Sequence, residues 1–560
     1  MRKPDKERVL GGPNWLGVVL VVCCAVFLVL SCDAPLPVHE DSGPSPSAES
    51  SREPDHGGRL VMGARADASN LLEGLASDSV SNDVNRFLYV ACVRYNNDLE
   101  LEPWAAESVE VLDSGLRLRF TLHQGILWDD GKELTTEDVE FTYQVMIDPD
   151  TPTPYAENFL AIKELRVIDR YTFEVVHDEV YARSLVTWAQ GILPKHVLEG
   201  EDLLNTPYSR NPLCAGPYRL KEWIPGRRIV LEARDDYFLG RPYLDELVFR
   251  VIPDEATMFQ ELKSGGLDYM QLTPQQYVYE SRGGGCAPGG WEQAFVRHRY
   301  LGQGYTYLGY NLDNPLFSDV RVRRALAHAI DRQEIIDGAL LGQGLPTAGP
   351  YTPGSWVVND AVEPYPFDRD KALELLAQAG WADHDGDGIL DKDGRPFAFT
   401  ILTNQGNDTR IKVATILQHQ LGELGLEVKV RTIEWASFLT EFVDKGRYEA
   451  VVLAWRLPPD PDCYNVFHSS KAVEGGLNFV RYISPEADAA LEDGRSTLDR
   501  ALRKEAYDRL QEILHRDQPY CFLFARYTLP MVHERFHGVD IGPLGVEPSI
   551  RHWWVPSELQ

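Results

Sequence analysis

Basic side chains are scarce in this chain of 560 residues: 55 Lys and Arg stand against 85 Asp and Glu, a formal net charge of −30. This shortage argues against a nucleic-acid partner, because a phosphate backbone is held by clustered Lys and Arg. The composition, 44% hydrophobic and 10% aromatic, is that of a folded protein. At this length we expect two or three packed units rather than one small domain.

Cysteine is rare too, and its spacing is uninformative for a metal site. Three of the eight cysteines, Cys23, Cys24 and Cys32, belong to the N-terminal region. The others are widely spaced and include no C-x-x-C pair; they are Cys92, Cys214, Cys286, Cys463 and Cys521. An odd number at such spacings predicts neither a zinc site nor a complete set of disulfides. Buried free thiols are the favoured interpretation, with one or two disulfides as the alternative.

Motifs of catalysis and of metal binding are missing as well. The 14 histidines form no H-E-x-x-H motif, and the chain contains no G-x-S-x-G or Walker motif. Each of these motifs places a nucleophile, a metal ligand or a phosphate cradle at a defined spacing. Nothing in the sequence argues for catalysis or for a bound cofactor, and we expect a protein that is not an enzyme and carries no cofactor.

The N-terminus combines a basic start with a long apolar run. Four basic residues within positions 2–8 precede uninterrupted apolar residues at 15–30, a run that is short for a membrane-spanning helix. It ends at Leu30-Ser31-Cys32, which resembles the lipobox of bacterial lipoproteins. The resemblance implies that residues 1–31 are a cleaved signal peptide and that Cys32 carries a lipid. An uncleaved anchor and a plain secretory signal are the alternatives.

Residues 32–57 follow this cysteine and differ in composition from the rest of the chain. They are rich in Pro, Ser and acidic residues and have almost no apolar side chains. Such a segment cannot bury enough apolar surface to fold. We therefore expect a flexible tether between a membrane-held Cys32 and the folded body.

The body mixes strand and helix patterns. Residues 116–122 alternate apolar and polar side chains, which predicts a strand with one wet face. Residues 135–138 resemble a capping box, and Asp368 precedes a second helical pattern. A third helical pattern at 410–424 passes into a strand pattern at 426–430. The fold class is therefore α/β or α+β with more than one lobe, and we take α/β as the prediction.

The most informative segment is residues 311–336, NLDNPLFSDVRVRRALAHAIDRQEII. Ser318 or Asp319 can cap a helix here. The helical spacing then makes one buried stripe of Val322, Ala325, Leu326, Ala329 and Ile330. The opposite face holds Arg321, Arg323, Arg324 and His328. For these basic residues we expect solvation, or pairing within the same lobe.

This segment resembles the signature of family 5 solute-binding proteins, the peptide- and nickel-binding receptors of ABC importers. Further blocks resemble the same family in the same order: FTLHQGILWDDGKELTTEDVEFTY at 120–143, LPKH at 193–196 and NPLCAGPY at 211–218. The resemblance covers about residues 58–545.

The resemblance implies a two-lobed fold like that of periplasmic binding proteins, in the class with an extra subdomain, and a ligand cleft between the lobes. Lobe I would comprise residues 58–313, including an inserted subdomain at about 92–205. Lobe II would comprise residues 314–525, and residues 526–560 would return to lobe I.

The implied function is the capture of peptides by lobe closure and their delivery to a permease. The partners would be a peptide ligand, the permease and ATPase subunits of the importer, and the membrane through the lipid. The chain would act as a monomer in the bacterial periplasm or cell envelope, at the outer face of the cytoplasmic membrane. Two alternatives stay open: binding of an oligosaccharide or another solute, and a ligand sensor or peptide chaperone without a transport role.

For the ligand site, the resemblance points to VVLAWRLPPDPDCYNVFHSS at 451–470. It implies that Trp455 lines the cleft and that an aspartate soon after it pairs with the ammonium of the peptide. Residues 457–459 are Leu-Pro-Pro at that place, so Asp460 or Asp462 takes this role, or no free amine is bound. Tyr310 and Asn311 are further candidates, because they lie near the expected hinge.

An acidic turn offers a weak calcium candidate. Asp383, Asp385, Asp387 and Asp391 have the spacing of a calcium loop. Position twelve of that loop is Gly394 in place of the glutamate that completes such a site. We therefore expect a solvated turn rather than a calcium site.

Overall fold

Three β-sheets of four or more strands build the part of the chain that the structure describes. This structure is a computed structural model, and it describes residues 53–76, 78–153, 155–281, 290–546 and 548–560. Residues 54–560 form one compact unit. The predicted signal peptide, Cys32, most of the predicted tether and Cys286 lie outside the described residues.

The first seven-stranded sheet collects strands from three distant parts of the chain. In sheet order its strands are Phe295–Arg297, Pro530–His533, Tyr269–Gln271, Arg59–Ala64, Glu246–Val251, Arg228–Ala233 and Tyr218–Ile224. Arg59–Ala64 pairs in parallel with Glu246–Val251, from Arg59 opposite Glu246 to Ala64 opposite Val251. The C-terminal strand Pro530–His533 thus completes a sheet that the first strand of the body begins.

The second seven-stranded sheet carries the loop of the predicted ligand site. Its strands in order are Tyr300–Leu301, Tyr520–Thr528, Gly304–Tyr310, Ala450–Arg456, Ala398–Asn404 and Glu427–Ile433, and Gly344–Pro346 pairs beside Tyr520–Thr528. The helix Asp408–Gly422 connects the parallel strands Ala398–Asn404 and Glu427–Ile433. The predicted helix-to-strand passage at 410–430 is therefore confirmed.

A four-stranded antiparallel sheet has the order Ala106–Leu112, Arg117–Leu122, Thr172–Val176 and Glu164–Val167. Its strand Arg117–Leu122 buries the alternate residues Leu118, Phe120 and Leu122, as the period-2 pattern predicts. Two-stranded hairpins are formed by Val93–Tyr95 with Leu101–Pro103, and by Asp391–Lys392 with Arg395–Pro396.

The helices surround these sheets. The α-helices are Ser79–Leu88, Thr136–Ile147, Ala156–Leu160, Lys195–Leu198, Glu255–Lys263, Pro315–Ser318, Val320–Ala329, Arg332–Leu340, Arg369–Gln378, Asp408–Gly422, Trp435–Ser437, Tyr464–Phe467, Pro485–Arg495 and Arg500–Asp517. Short 3₁₀ segments are Asp113–Gly115, Val186–Ala189, Pro207–Ser209, Trp291–Ala294, Ser469–Lys471, Ile550–His552 and Ser557–Leu559. Two short π-helical segments are Gln276–Glu280 and Phe438–Val443. Across the described residues, no helix is both long enough and apolar enough to cross a membrane.

The predicted helix starts are confirmed by side-chain caps. Thr135 and Asp138 form a complete capping box at the start of Thr136–Ile147. Asp368 accepts a hydrogen bond from the Lys371 N–H and caps Arg369–Gln378. In the signature segment it is Asp319 that caps Val320–Ala329, through the Arg321 N–H.

The basic face of this signature helix shows both arrangements expected for it, solvation and pairing within residues 314–525. Arg323 is not solvated: it is 7% exposed, and its guanidinium donates to the main-chain carbonyls of Phe317, Ser318, Asp517 and Gln518. Arg321, in contrast, is exposed and pairs with Asp319. The helix therefore presents a buried cation to the C-terminus of Arg500–Asp517 as well as an apolar stripe to the core.

Separate cores hold the two large sheets. One apolar core joins the first sheet to the four-stranded sheet, and two others cover opposite faces of the second sheet. Cys92, Cys214, Cys463 and Cys521 are buried and free, so the prediction of free thiols is confirmed for these four. The α/β class predicted from the sequence is confirmed by this arrangement.

Candidate ligand-binding site

A cavity of about 360 Å³ lies against the helix Ser79–Leu88 and the extended segment 89–95 that follows it. Its volume falls within the range of small-molecule and cofactor sites in proteins. The opposite walls come from Trp104, Tyr237 and the C-terminal segment 544–551. Pro459, from the loop after the strand Ala450–Arg456, also lines the cavity. The cavity thus brings together segments that lie more than 400 positions apart in the sequence.

The segment 89–95 forms the floor of the cavity, and main-chain hydrogen bonds hold it on both sides. On one edge the Ile192 N–H donates to the Val90 carbonyl at 2.8 Å. On the other edge the Trp104 N–H donates to the Cys92 carbonyl at 2.9 Å. Gly191 lets the chain pass close to this floor, since a Cβ there would lie 3.0 Å from Cβ of Tyr89.

At one end of the cavity the polar groups are Glu73 and Asn85. The Glu73 carboxylate accepts hydrogen bonds from the Gln190 amide and from the Gly191 N–H. Burial raises the pKa of the Glu73 carboxyl, and the Gly191 N–H, the nearby Asn85 amide and the charge of Arg86 oppose that effect only in part. Asn85 is 2% exposed, and neither its amide nitrogen nor its amide oxygen has a hydrogen-bond partner among the described residues.

Arginines dominate another part of the wall. Arg94 pairs with Glu102, with 2.7 Å between Nη2 and Oε1, and its guanidinium lies 5.4 Å from the centre of the Trp104 ring. Arg551 donates from Nε to Nε2 of His552 at 2.9 Å. Burial lowers the pKa of Arg551, and the nearby positive charge of Arg94 adds to that effect. Two close cations share one carboxylate here, so this part of the cavity favours a negatively charged ligand group.

Trp455 lies near the end of the strand Ala450–Arg456, as the resemblance implies. Its indole Nε1 is 3.4 Å from the Tyr520 hydroxyl, and its ring lies 6.0 Å from that of Phe479. It is not among the residues that line the cavity. The neighbouring Arg456 is close enough to Asp83, on the helix Ser79–Leu88, to oppose the rise that burial causes in the pKa of that carboxyl. The strand end therefore faces the helix that lines the cavity.

Asp460 and Asp462 are both engaged in buried ion pairs. Arg503 Nη2 lies 3.1 and 3.0 Å from the two carboxylate oxygens of Asp460, whose side chain is 5% exposed. Arg495 donates from Nε and Nη2 to Oδ2 of Asp462 at 2.8 and 2.7 Å, and the Asp462 side chain is 1% exposed. A ligand ammonium would have to displace or share a guanidinium to reach either carboxylate.

Tyr310 and Asn311 lie in the core rather than at the cavity. Tyr310 is fully buried, with its ring 5.0 Å from that of Phe317. The Asn311 amide donates to the carbonyls of Gly446 and Tyr448 at 3.0 and 2.9 Å. Ligand contact by either side chain therefore requires this core to open.

The acidic turn lies apart from these groups. Asp383, Asp385 and Asp387 are exposed, and their carboxylates come within 4.8 Å of one another. The Asp383 carboxylate accepts from the N–H groups of Gly386 and Gly388, and Asp391 accepts from the main-chain N–H of His384. These bonds hold the turn, and its three aspartates form a group that could hold a metal ion, so the solvated turn stays a prediction.

The residues that sequence reasoning missed are Glu73, Asn85, Arg94 and Arg551. They come from separate segments and match no motif, so spacing alone could not group them. A weak signal was available in Glu73, an acidic residue between the apolar pairs at 71–72 and 75–76. An isolated acid in an apolar stretch is a candidate for a buried functional group.

Comparison with known proteins identifies the family. The model for bacterial extracellular solute-binding proteins, family 5 Middle, matches residues 100–474. The chain is 33% identical over 523 residues to the oligopeptide-binding protein AppA of Bacillus subtilis (strain 168), covering 92% of this chain and 94% of that protein. It is 25% identical over 471 residues to the dipeptide-binding protein of Escherichia coli (strain K12), with coverages of 80% and 85%.

Solved structures give the same result. The structure of the Bacillus subtilis protein AppA in complex with a nonapeptide superposes with a TM-score of 0.76 at 33% identity, covering 90% of this chain and 100% of that one. NikZ from Campylobacter jejuni in complex with Ni(L-His) superposes with a TM-score of 0.77 at 25% identity, with coverages of 89% and 99%. The two-lobed α/β fold class is thereby confirmed. The chain belongs to family 5 of the bacterial extracellular solute-binding proteins, the substrate receptors of ABC importers.

Proposed function

We propose that this protein captures peptides outside the cytoplasm and delivers them to the permease and ATPase subunits of an ABC importer. The observation that carries the proposal is the similarity to AppA over nearly the full length of both chains, since AppA is an oligopeptide-binding protein and its structure holds a nonapeptide. The cavity supports it independently. It offers both a buried acid and a pair of arginines, which suits a ligand that carries charges of both signs.

We infer that capture works by closure of two lobes. Lobe I comprises residues 58–313, with the inserted subdomain at about 92–205 and the return at 526–560, and lobe II comprises residues 314–525. Hinge closure would bring Pro459 of lobe II over a cavity whose other walls belong to lobe I. Closure excludes water from the cavity. A ligand without the matching charges would then leave charged groups of the protein buried and unpaired, and this cost favours charged ligands over neutral ones.

Native mass spectrometry of the protein purified from its own host tests this function. The expected result is a single chain, because the protein is proposed to be a monomer, carrying co-purified peptides of mixed sequence. A single glycan mass would instead support the oligosaccharide alternative and contradict peptide capture. Peptides bound in a host that lacks a partner permease would favour a sensor or peptide chaperone.

We further propose that Cys32 is acylated and holds the protein at the outer face of the cytoplasmic membrane. The Cys32→Ser variant should move the protein from the membrane fraction to the soluble fraction, because acylation requires the thiol. Fractionation and immunoblotting measure the shift. Cys24→Ser is the matched control, since it lies within the predicted signal peptide and should leave attachment unchanged. Membrane retention of Cys32→Ser would indicate an uncleaved anchor.

Trp455 is proposed to contact the ligand when the lobes close. Trp455→Ala should weaken peptide binding by about ten-fold, the order of an aromatic contact, without unfolding the protein. Isothermal titration calorimetry measures the affinity, and a thermal melt checks the fold. Trp435→Ala is the control, because that ring is 45% exposed and packs near Phe438, away from the cavity. Equal affinities for Trp455→Ala and the wild type would remove this residue from the site.

A further inference from the structure

The cavity wall contains a buried polar side chain, that of Asn85, without a hydrogen-bond partner among the described residues. Its side chain is 2% exposed, and both polar atoms of its amide lack a partner among the residues that the structure describes. A buried polar group in that condition costs about 1–3 kcal/mol, so native proteins rarely leave one without a partner. Since Asn85 lines the cavity, a bound molecule can supply both the missing donor and the missing acceptor.

Glu73 lies beside this amide and supplies the carboxylate among the residues that line the cavity. The hydrogen bonds described for it come from the Gln190 amide and the Gly191 N–H, both of them neutral donors. The Asn85 amide is near enough to lower the pKa of the Glu73 carboxyl, and Arg86 acts on it through its charge. A carboxylate and an unpartnered amide on the same cavity wall form a site for a cationic donor group.

The loop of the second sheet does not supply such a charge. Its residues 457–459 are Leu-Pro-Pro, and Pro459 presents an apolar ring to the cavity. The carboxylates of Asp460 and Asp462 are already compensated by Arg503 and Arg495. Glu73 is therefore the acid of the cavity wall that remains open to a ligand cation.

We propose that Glu73 and Asn85 bind the free amino terminus of the peptide, a role that rests on the proposed peptide-binding function. The ligand ammonium donates to the Glu73 carboxylate and to Oδ1 of Asn85, and Nδ2 of Asn85 donates to the first carbonyl of the peptide. Arg94 and Arg551 line the same cavity as Glu73 and Asn85. The acidic and basic parts of the wall can thus contact the two charged ends of one short ligand.

The test compares a randomised pentapeptide library with the same library after N-acetylation, which removes the positive charge and one donor. Ligand-stripped wild-type protein should capture the free library at least about ten-fold better than the acetylated one, as read by native mass spectrometry. Glu73→Gln should abolish this preference by weakening capture of free peptides alone. Glu107→Gln, at an exposed position outside the cavity, is the matched control and should retain the preference.

The possible outcomes separate the two proposals. Equal capture of both libraries by the wild type overturns the role of Glu73 and Asn85 but leaves peptide binding intact. Capture of neither library overturns peptide binding itself. A Glu73→Gln variant that keeps the wild-type preference also overturns the subsite. If Glu73→Gln fails to fold, Asn85→Leu takes its place, because it removes the same amide contacts while keeping the side-chain volume similar.

Acidification gives a second readout of the same subsite. Only the ionised Glu73 carboxylate attracts an ammonium, and burial raises its pKa above the ordinary glutamate value. The other titratable or charged groups that face it are Arg86, Tyr89 and Tyr155, and none of these loses its charge state in mild acid. Affinity for free peptides should therefore fall with decreasing pH earlier than an unperturbed carboxyl would predict. Glu73→Gln should flatten this profile, and an unchanged profile would contradict the assignment.

Discussion

Replacing the buried Arg323 by methionine should lower the free energy of unfolding by about 3–5 kcal/mol. The Arg323 guanidinium is buried and donates to four main-chain carbonyls, two before its own helix and two at the end of Arg500–Asp517. Methionine keeps the apolar stem but leaves these carbonyls without their donor. Urea unfolding followed by circular dichroism measures the loss.

The matched control is Arg321→Met on the same helix. Arg321 is 46% exposed and pairs with Asp319, which is itself 28% exposed, so its removal should cost at most about 1 kcal/mol. Both variants change the helix propensity and the net charge of this helix equally, so these two effects cancel in the comparison. Equal losses for the two variants would show that the carbonyl contacts of Arg323 contribute nothing specific to stability.

This pair of arginines shows which part of the fold sequence reasoning could reach. The apolar stripe, the Asp319 cap and the end of the helix depend on residues a few positions apart, and all three were predictable. The burial of Arg323 depends on Asp517 and Gln518, which lie 194 and 195 positions further along the chain. A helical wheel assigns Arg321 and Arg323 to the same wet face because it contains no information about that neighbour.

The candidate site likewise has parts that the sequence could predict and parts that it could not. The position of Trp455 at the end of a strand followed from a local block of sequence, and the structure places it there. The partners of Asp460 and Asp462 are on the helices Arg500–Asp517 and Pro485–Arg495, so their neutralisation was invisible in the loop itself. The residues that line the cavity are scattered from Glu73 to Arg551 and share no spacing pattern. Family resemblance therefore predicted the fold, whereas the chemistry of the cavity required three-dimensional contacts.

Exposed polar contacts join residues 58–313 to residues 314–525. Glu157 accepts hydrogen bonds from Asn465 and Lys471, and Glu100 pairs with Arg500 at 3.0 Å. These side chains are largely exposed, so each contact contributes little on its own. Weak contacts of this kind are compatible with the lobe closure and reopening proposed above.

Arg503→Leu should be the second strongly destabilising substitution, again by about 3–5 kcal/mol. It leaves the Asp460 carboxylate, 5% exposed, without the cation that lies about 3.0 Å away in the folded protein. Arg509→Leu lies on the same helix and breaks an exposed pair with Asp493, so its effect should stay below about 1 kcal/mol. Thermal and urea unfolding of the two variants measure the difference.

A double variant decides between two roles for Asp460. If Asp460 serves the fold, the double variant Asp460→Leu, Arg503→Met should recover much of the lost stability, because an apolar pair of similar volume avoids the buried charge. It should also keep its affinity for free peptides, since Glu73 and Asn85 are untouched. If Asp460 instead binds the ligand ammonium, that double variant loses the preference for free over N-acetylated peptides. Because the Arg503 guanidinium already occupies both oxygens of Asp460, we expect the first result.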